Sequence, residues 1–150
     1  MRTHHVTHKI LVIQGAGLNM RGKAQVDVFG PMTLADYDEH VHKSASELDV
    51  TVQIFHSNIE GEVINRVYAA HEEGFDGAII NPGGHMSGYP ALCAALGQVS
   101  FPVFELHISN PAKRGRNSEV AAVCQGVITG FGVNGYYLAL QGLKTLLSKS

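Results

Sequence analysis

Residues Lys9-Ile10-Leu11-Val12-Ile13 form a continuous apolar run, which Gly15-Ala16-Gly17 brings to an end. A short run of this kind, rich in β-branched residues and bounded by glycine, is typical of a strand buried on both faces. Such strands occur in parallel sheets that helices cover on both sides. This stretch therefore predicts the first strand of an α/β fold.

Similar apolar runs recur along the chain, and segments with helical periodicity separate most of them. The later strands are predicted at 50–55, 77–80, 103–106 and 126–129, and the helices at 33–47, 58–74, 89–96 and 134–147. Thr33 and Asn58 are candidate N-caps. Because strand–helix–strand units require a parallel sheet with covered faces, the pattern predicts a doubly wound five-stranded sheet in a three-layer α/β/α sandwich. We expect one domain over 9–150, preceded by a flexible tail at 1–8.

In a doubly wound sheet the ligand site lies beyond the carboxyl ends of the strands. That rule selects the loops 14–30, 57–60, 81–89 and 107–116, which are also rich in Gly, Asn, His and Arg. The sequence therefore predicts one site at this edge of the sheet.

The composition limits the partners that we expect. A formal net charge of -2 offers no electrostatic basis for binding nucleic acid or an anionic membrane. No apolar run is long enough to span a bilayer and no signal peptide precedes the first strand, so we expect a cytoplasmic protein. With only 16% charged residues, the chain also fits a homo-oligomer.

Three features could suggest a metal or a cofactor, and none does so strongly. Cys93 and Cys124 are too few and too far apart for a metal site, and the histidines at 4, 5 and 8 fit a terminal tail. Gly15-Ala16-Gly17 resembles the start of a dinucleotide-binding fingerprint, but Met20 stands where its third glycine belongs. We therefore predict no metal and no organic cofactor.

Six stretches of the chain resemble type II 3-dehydroquinate dehydratases, in the order in which that family has them. They are Ile10-Leu11-Val12-Ile13-Gln14-Gly15, Gly30-Pro31-Met32-Thr33-Leu34, Ser57-Asn58-Ile59-Glu60-Gly61-Glu62, Ile80-Asn81-Pro82-Gly83-Gly84, Glu105-Leu106-His107-Ile108-Ser109-Asn110, and the segment 130–140. The resemblance implies a flavodoxin-like fold and a trimer-based dodecamer. It also implies a dehydratase that uses neither metal nor cofactor. In this family an arginine-supported tyrosinate removes a proton beside a ketone, and a histidine protonates the departing hydroxyl.

Part of the family's site is present here by resemblance. His107 matches the general acid, Glu105 the residue that orients it, and Asn81 the pocket asparagine. The substrate-binding positions match Ile108, Ser109, Arg116, Gly83 and Gly84. An exposed basic run at 113–116 remains the alternative for Arg116, and a structural histidine held by Glu105 the alternative for His107.

Other positions depart from the family's pattern. Phe29 stands in place of the catalytic tyrosine, and Lys23 in place of the arginine that supports it. Phenylalanine cannot accept a proton, and lysine lacks the two-pronged geometry of a guanidinium. Ser87 replaces a substrate-binding histidine. Gly17 and Ala94 replace an asparagine and an aspartate, and a neighbouring subunit normally contributes at the latter position.

Two residues of the loop after the third strand could supply replacement chemistry. His85 titrates near neutrality and could act as the base, or it could be a solvated loop histidine. Tyr89 could supply a phenol, or it could pack on the core. We therefore expect a diverged lyase, a dehydratase or hydratase, acting on a small cyclic or keto carboxylate. A catalytically silent carboxylate-binding protein and a residual 3-dehydroquinate dehydratase are the alternatives.

Overall fold

The computed structural model describes residues 6–149, and it contains a parallel sheet of five strands in the order β2-β1-β3-β4-β5. The strands are β1 Lys9–Ala16, β2 Thr51–His56, β3 Gly77–Gly83, β4 Val103–His107 and β5 Gly126–Thr129. The order moves outward from β1 in both directions, which is the doubly wound, flavodoxin-like arrangement that the sequence predicted. The fold class is therefore confirmed.

Five α-helices accompany the strands within the described part of the chain. They are α1 Val26–Phe29, α2 Leu34–Leu48, α3 Glu60–Glu72, α4 Pro90–Gln98 and α5 Asn134–Ser148. Thr33 caps α2 with a capping box. Its hydroxyl accepts a hydrogen bond from the backbone N–H of Asp36, and the Asp36 carboxylate accepts one from the backbone N–H of Thr33. The short helix α1 was not predicted, because four residues carry no readable periodicity.

Side chains of β1 alternate between the two layers of the core. Ile10 and Val12 face the layer of α2 and α5, where Tyr136 and Leu140 are buried. Leu11 and Ile13 face the layer of α3 and α4. Every apolar residue from Ile10 to Ile13 has no exposed surface, which confirms the first strand as buried on both sides.

The carboxyl ends of β1 and β3 touch because glycine occupies both. A Cβ on Gly15 would lie 2.1 Å from the carbonyl oxygen of Pro82, and one on Gly83 would lie 2.4 Å from that of Ala16. Gly83 also has a φ of 54°, which favours glycine. The close approach continues the pairing as far as Ala16 opposite Gly83, and it sets Gln14 opposite Asn81. Asn81 therefore belongs to β3. The sequence had placed it in the loop after this strand.

The loop before α3 departs from the prediction. Asn58 does not cap this helix; its side-chain oxygen accepts the backbone N–H of Gly17 at 2.8 Å, and Ile59 is the residue that precedes the helix. The hydroxyl of Ser57 accepts from the N–H of Ile59 at 3.0 Å. Asn58 thus connects the loops after β2 and β1.

The predicted tail lies partly outside the described residues, which exclude 1–5 and therefore His4 and His5. The carbonyl of His8 accepts the backbone N–H of Thr51 at 2.9 Å, so the chain already joins the sheet at this residue. Within 6–149, no helix has the length and apolar character needed to cross a membrane.

Candidate active site

A cavity of about 370 Å³ opens at the carboxyl ends of β1, β3 and β4, where the sequence placed the site. The loop that contains α1 forms one wall, and the loop after β4 forms the opposite wall. The lining residues are Ala16, Gly17, Met20, Arg21, Ala24, Gln25, Phe29, Asn81, Gly83, Gly84, Met86, His107, Ile108, Ser109, Pro111, Arg114 and Arg116. The structure thus brings together most of the residues that the sequence singled out.

His107 and Glu105 form a buried pair at the end of β4. Residues two apart in a strand face the same side, so both side chains point towards the α3 and α4 layer. Glu105 has no exposed surface and His107 is 7% exposed. The Nε2 of His107 is hydrogen-bonded to the Oε2 of Glu105. Because a carboxylate only accepts, the imidazole carries its proton on Nε2, which leaves Nδ1 for exchange with a ligand.

His107 lies between the main cavity and a smaller one of about 170 Å³. Arg116 and Met86 also line both cavities, and Glu105 lines only the smaller one. His107 is therefore not sealed inside packed hydrocarbon. It faces open space in which a small molecule can meet its imidazole.

Asn81 is held in the cavity floor by a chain of hydrogen bonds. Its Nδ2 donates to the hydroxyl of Tyr136 at 3.1 Å, and that hydroxyl donates to Oε1 of Gln14 at 2.7 Å. The Nε2 of Gln14 then donates to Asp38 at 3.2 Å. Burial raises the pKa of the Tyr136 phenol far above its ordinary value, so this hydroxyl stays neutral. The network orients Asn81 and leaves its carbonyl oxygen available to accept a hydrogen bond from a ligand.

The cations of the cavity come from Arg21, Arg114 and Arg116. The guanidinium carbon of Arg21 lies 3.6 Å from the centre of the Phe29 ring, and that of Arg114 lies 5.4 Å from it. Both distances are within the range of cation–π contacts. Arg114 also donates from Nη1 to the hydroxyl of Ser109 at 3.0 Å. The cavity is therefore suited to an anionic ligand.

Arg21 lines the cavity, which the sequence did not predict, and Lys23 does not occupy the position expected of it. Lys23 is exposed and is not among the lining residues. The loop turns at Gly22, whose φ is 79° and whose Cβ would lie 2.8 Å from the carbonyl oxygen of Pro31. This turn directs Arg21 inward, while Lys23 faces solvent. A cation does lie against the ring at position 29, but it belongs to Arg21, two residues before Lys23.

His85 is not placed to act as the base. Its side chain has no exposed surface and is not in the cavity lining. Nδ1 accepts the backbone N–H of Ala16 at 3.2 Å, and Nε2 lies 3.3 Å from the carbonyl oxygen of Asn58. Burial lowers the pKa of His85 below its ordinary value, and the neutral ring ties β1 to the loop after β2. Tyr89 contacts the His85 ring edge-on at 4.8 Å and also lies outside the cavity lining.

Ser87 and Ala94 are also absent from the cavity lining. The exposed hydroxyl of Ser87 donates to Glu119 at 2.6 Å, and the N–H of Gly88 donates to the same carboxylate oxygen at 2.8 Å. These two hydrogen bonds lower the pKa of the Glu119 carboxyl. Ala94 is exposed on α4. Ser87 therefore supports the loop around the site and is not in contact with the cavity.

No group of three or more His, Cys, Asp or Glu side chains within 6–149 is arranged to hold a metal ion. The ionisable side chains of the main cavity are His107 and the three arginines. This set can bind an anion and move one proton at an imidazole.

Comparison with known proteins identifies relatives over most of the chain. The family model described as "Dehydroquinase class II" matches residues 8–144. A 3-dehydroquinate dehydratase of Caldanaerobacter subterraneus subsp. tengcongensis is 41% identical over 141 residues, which are 92% of this chain and 95% of that protein. The crystal structure of a type II dehydroquinase from Butyrivibrio crossotus has a TM-score of 0.88 at 32% identity, covering 92% of this chain and 98% of its own. The crystal structure of a 3-dehydroquinate dehydratase-like protein from Bifidobacterium longum has a TM-score of 0.74 at 26% identity, covering 95% of this chain and 99% of its own.

Proposed function

The chain belongs to the dehydroquinase class II family, and we propose that it is a carbon–oxygen lyase that removes water from a small cyclic or keto carboxylate. One observation carries the proposal: the His107–Glu105 pair meets the cavity beside three arginines. A hydroxide ion is a poor leaving group and needs a proton donor, and a developing enolate needs preorganised donors. The cavity has both kinds of group.

The binding side of the reaction falls to the loop after β4. We assign the carboxylate to Arg116 and the hydroxyl of Ser109, which both line the cavity, and Arg114 holds Ser109 through its Nη1. Asn81 faces the same space with its orientation set by Tyr136. A guanidinium and a hydroxyl that converge on one carboxylate hold the substrate in a single register.

We assign the proton transfers to His107, because the other ionisable side chains among the described lining residues are arginines, which keep their protons. In our scheme the neutral Nδ1 removes a proton from the carbon beside the carbonyl. The C–O bond to the departing hydroxyl then breaks as the C=C bond forms, and His107 returns the proton so that water leaves. The ring ends in its starting state, so no oxidant or cofactor is needed. The scheme requires the lost hydrogen and hydroxyl to lie on the same face of the substrate.

The first experiment is a turnover assay of the purified protein with 3-dehydroquinate and with other cyclic and keto hydroxy acids. The names of the relatives make 3-dehydroquinate the first compound to test. Product is followed by the absorbance of the conjugated enone. We expect His107→Gln to lower turnover by about 100-fold or more, since it removes general acid–base catalysis. His42→Gln, which changes an exposed histidine of α2, is the matched control. Equal turnover in the wild type and His107→Gln would contradict the scheme.

A second candidate function is a carboxylate-binding protein without catalysis. The observation that favours it is that, among the described lining residues of the main cavity, His107 is the one side chain suited to act as a general base. Calorimetry separates the two functions, because a binding protein releases the heat of association and returns the acid unchanged. A compound that binds and is recovered intact after long incubation would support this second function.

We also propose that the chain assembles with copies of itself, as the resemblance implies. Phe131 is 63% exposed and Ile59 is 60% exposed, and both are large apolar side chains that contact between copies would cover. Light scattering coupled to size-exclusion chromatography measures the mass. A mass of about 16 kDa would contradict this proposal.

A further inference from the structure

The main cavity holds more positive charge than its own residues balance. Arg21, Arg114 and Arg116 line it, and none of its lining residues in the described part of the chain is an aspartate or a glutamate. Glu105 lies beneath His107 and is hydrogen-bonded to it. Within 6–149, none of the three arginines forms an ion pair with a carboxylate. A ligand that binds in this cavity can therefore supply the counter-charge.

Part of the excess positive charge lies at the Phe29 ring. Arg21 lies over the Phe29 ring, and Arg114 approaches the same ring. The family resemblance places an ionised phenol at position 29, where it would balance a neighbouring cation. Phenylalanine brings no negative charge there, yet the cation is present as Arg21. One negative charge is thus missing from this side of the cavity.

The surroundings of Arg21 make the imbalance costly. The residue is half-buried, and burial lowers the pKa of its guanidinium, with the charge of Arg114 acting in the same direction. Tyr37 and Tyr136 raise the pKa of Arg21. A guanidinium keeps its proton even so, and partly removing it from water without an anionic partner is unfavourable. An anion placed here would recover that free energy.

We propose that the ligand of this cavity is a small dianion with two anionic groups, such as two carboxylates, one held at Arg116 and Ser109 and the other at Arg21. Arg114 stands between the two positions, since it donates to Ser109 and also faces the Phe29 ring. The inference rests on the proposed function, because it names the substrate class of the same cavity. The volume of about 370 Å³ suits a small ring acid.

The test is isothermal titration calorimetry of the wild-type protein with a matched pair of probes, cyclohexane-1,3-dicarboxylate and cyclohexanecarboxylate. We expect the dicarboxylate to bind about tenfold tighter or more, the gain of one charge-assisted contact. 3-Phosphoglycerate, which carries a carboxylate and a phosphate, shows whether the second group is a carboxylate or a phosphate. Equal affinities for the matched pair, or no binding of the dicarboxylate at millimolar concentration, would overturn the proposal.

Variants assign the second anionic group to Arg21. Arg21→Gln should remove most of the preference for the dicarboxylate while leaving the affinity for the monocarboxylate nearly unchanged. Lys23→Gln removes a cation from the same loop outside the cavity and should keep the preference. A melting temperature measured for each variant checks that it is folded. Phe29→Tyr is a second variant, in which an ionised phenol would compete with the ligand's second group and lower the preference. If Arg21→Gln weakened both probes equally, the assignment would be wrong.

The outcome is separable from that of the proposed lyase function. Turnover of a monocarboxylate without any preference for dianions would overturn the inference and leave the lyase function standing. A preference for dianions without turnover of any acid would support the inference while the lyase function failed.

Discussion

The amide nitrogen of Asn81 donates to the hydroxyl of Tyr136 at 3.1 Å, which joins the cavity floor to the core helix α5. The two residues are 55 positions apart, and Tyr136 has no exposed surface. The same hydroxyl donates to Gln14, the neighbour of Asn81 across β1 and β3. One buried phenol therefore sets the side-chain orientation of two adjacent strand ends.

Tyr136→Phe should destabilise the protein by about 1–3 kcal/mol, because it leaves Gln14 without a donor and Asn81 without an acceptor in a buried place. The free energy of unfolding is measured by urea denaturation. Tyr137→Phe is the control, since it changes the next residue of the same helix, which is less buried. If Tyr136→Phe lowered the free energy of unfolding no more than Tyr137→Phe does, the hydrogen-bond network would contribute nothing to stability.

Glu105→Gln should disturb the tautomer of His107. The carboxylate accepts the proton of Nε2, whereas an amide can also donate there and shift the proton to Nδ1. Nitrogen NMR of the imidazole distinguishes the two tautomers, with Glu119→Gln as a control away from His107. If catalysis depends on the Nε2–H form, turnover in Glu105→Gln falls by about 100-fold with little change in KM. A spectrum that remains of the Nε2–H type would contradict the orienting role of Glu105.

Phe29→Tyr should raise the dehydration of 3-dehydroquinate above the wild-type rate, by about tenfold or more, because a general base contributes at least this much. Arg21 lies over this ring and would favour an ionised phenol. Adding Lys23→Arg should bring no further gain, since Lys23 faces solvent. Adding Arg21→Gln should cancel the gain. A benefit from Lys23→Arg comparable to that of Phe29→Tyr itself would contradict the assignment of Arg21. The rate is measured from the absorbance of the enone product for the wild type, Phe29→Tyr and the two double variants.

His85 should make the protein less stable in acid. Its pKa is lowered in the folded state, mainly by burial and also by His56, while Glu60 acts in the opposite direction. The unfolded chain therefore binds the proton more readily, so the stabilisation is complete above about pH 6.5 and is lost as the pH falls below it. Protonation would also remove the acceptor that Nδ1 offers to Ala16. Urea denaturation between about pH 7.5 and 5.5 should show a smaller loss of stability in His85→Gln than in the wild type. His42→Gln, by contrast, should follow the wild type. Parallel curves for all three proteins would show that His85 does not carry this dependence.

Much of the fold follows from local patterns. The continuous apolar run at Ile10–Ile13 requires burial on both faces, and the cap at Thr33 is readable from the aspartate three residues later. The position of the site follows as well, because parallel strands deliver their carboxyl ends to one edge. His107 and Glu105, two apart on a strand, must share a face in any such sheet. For these features the sequence alone was sufficient.

The identity of the cavity's cation was decided only in three dimensions. By resemblance Lys23 takes the place of the family's arginine, but a left-handed turn at Gly22 directs Arg21 inward instead. His85 likewise looked like a free loop imidazole until the tertiary structure gave both its nitrogens backbone partners from distant segments. Periodicity and spacing determine which face of a strand or helix is buried, since they repeat with the backbone. The direction of a side chain in an irregular loop depends on single φ angles and on contacts with residues far along the chain, and these exist only in the folded protein.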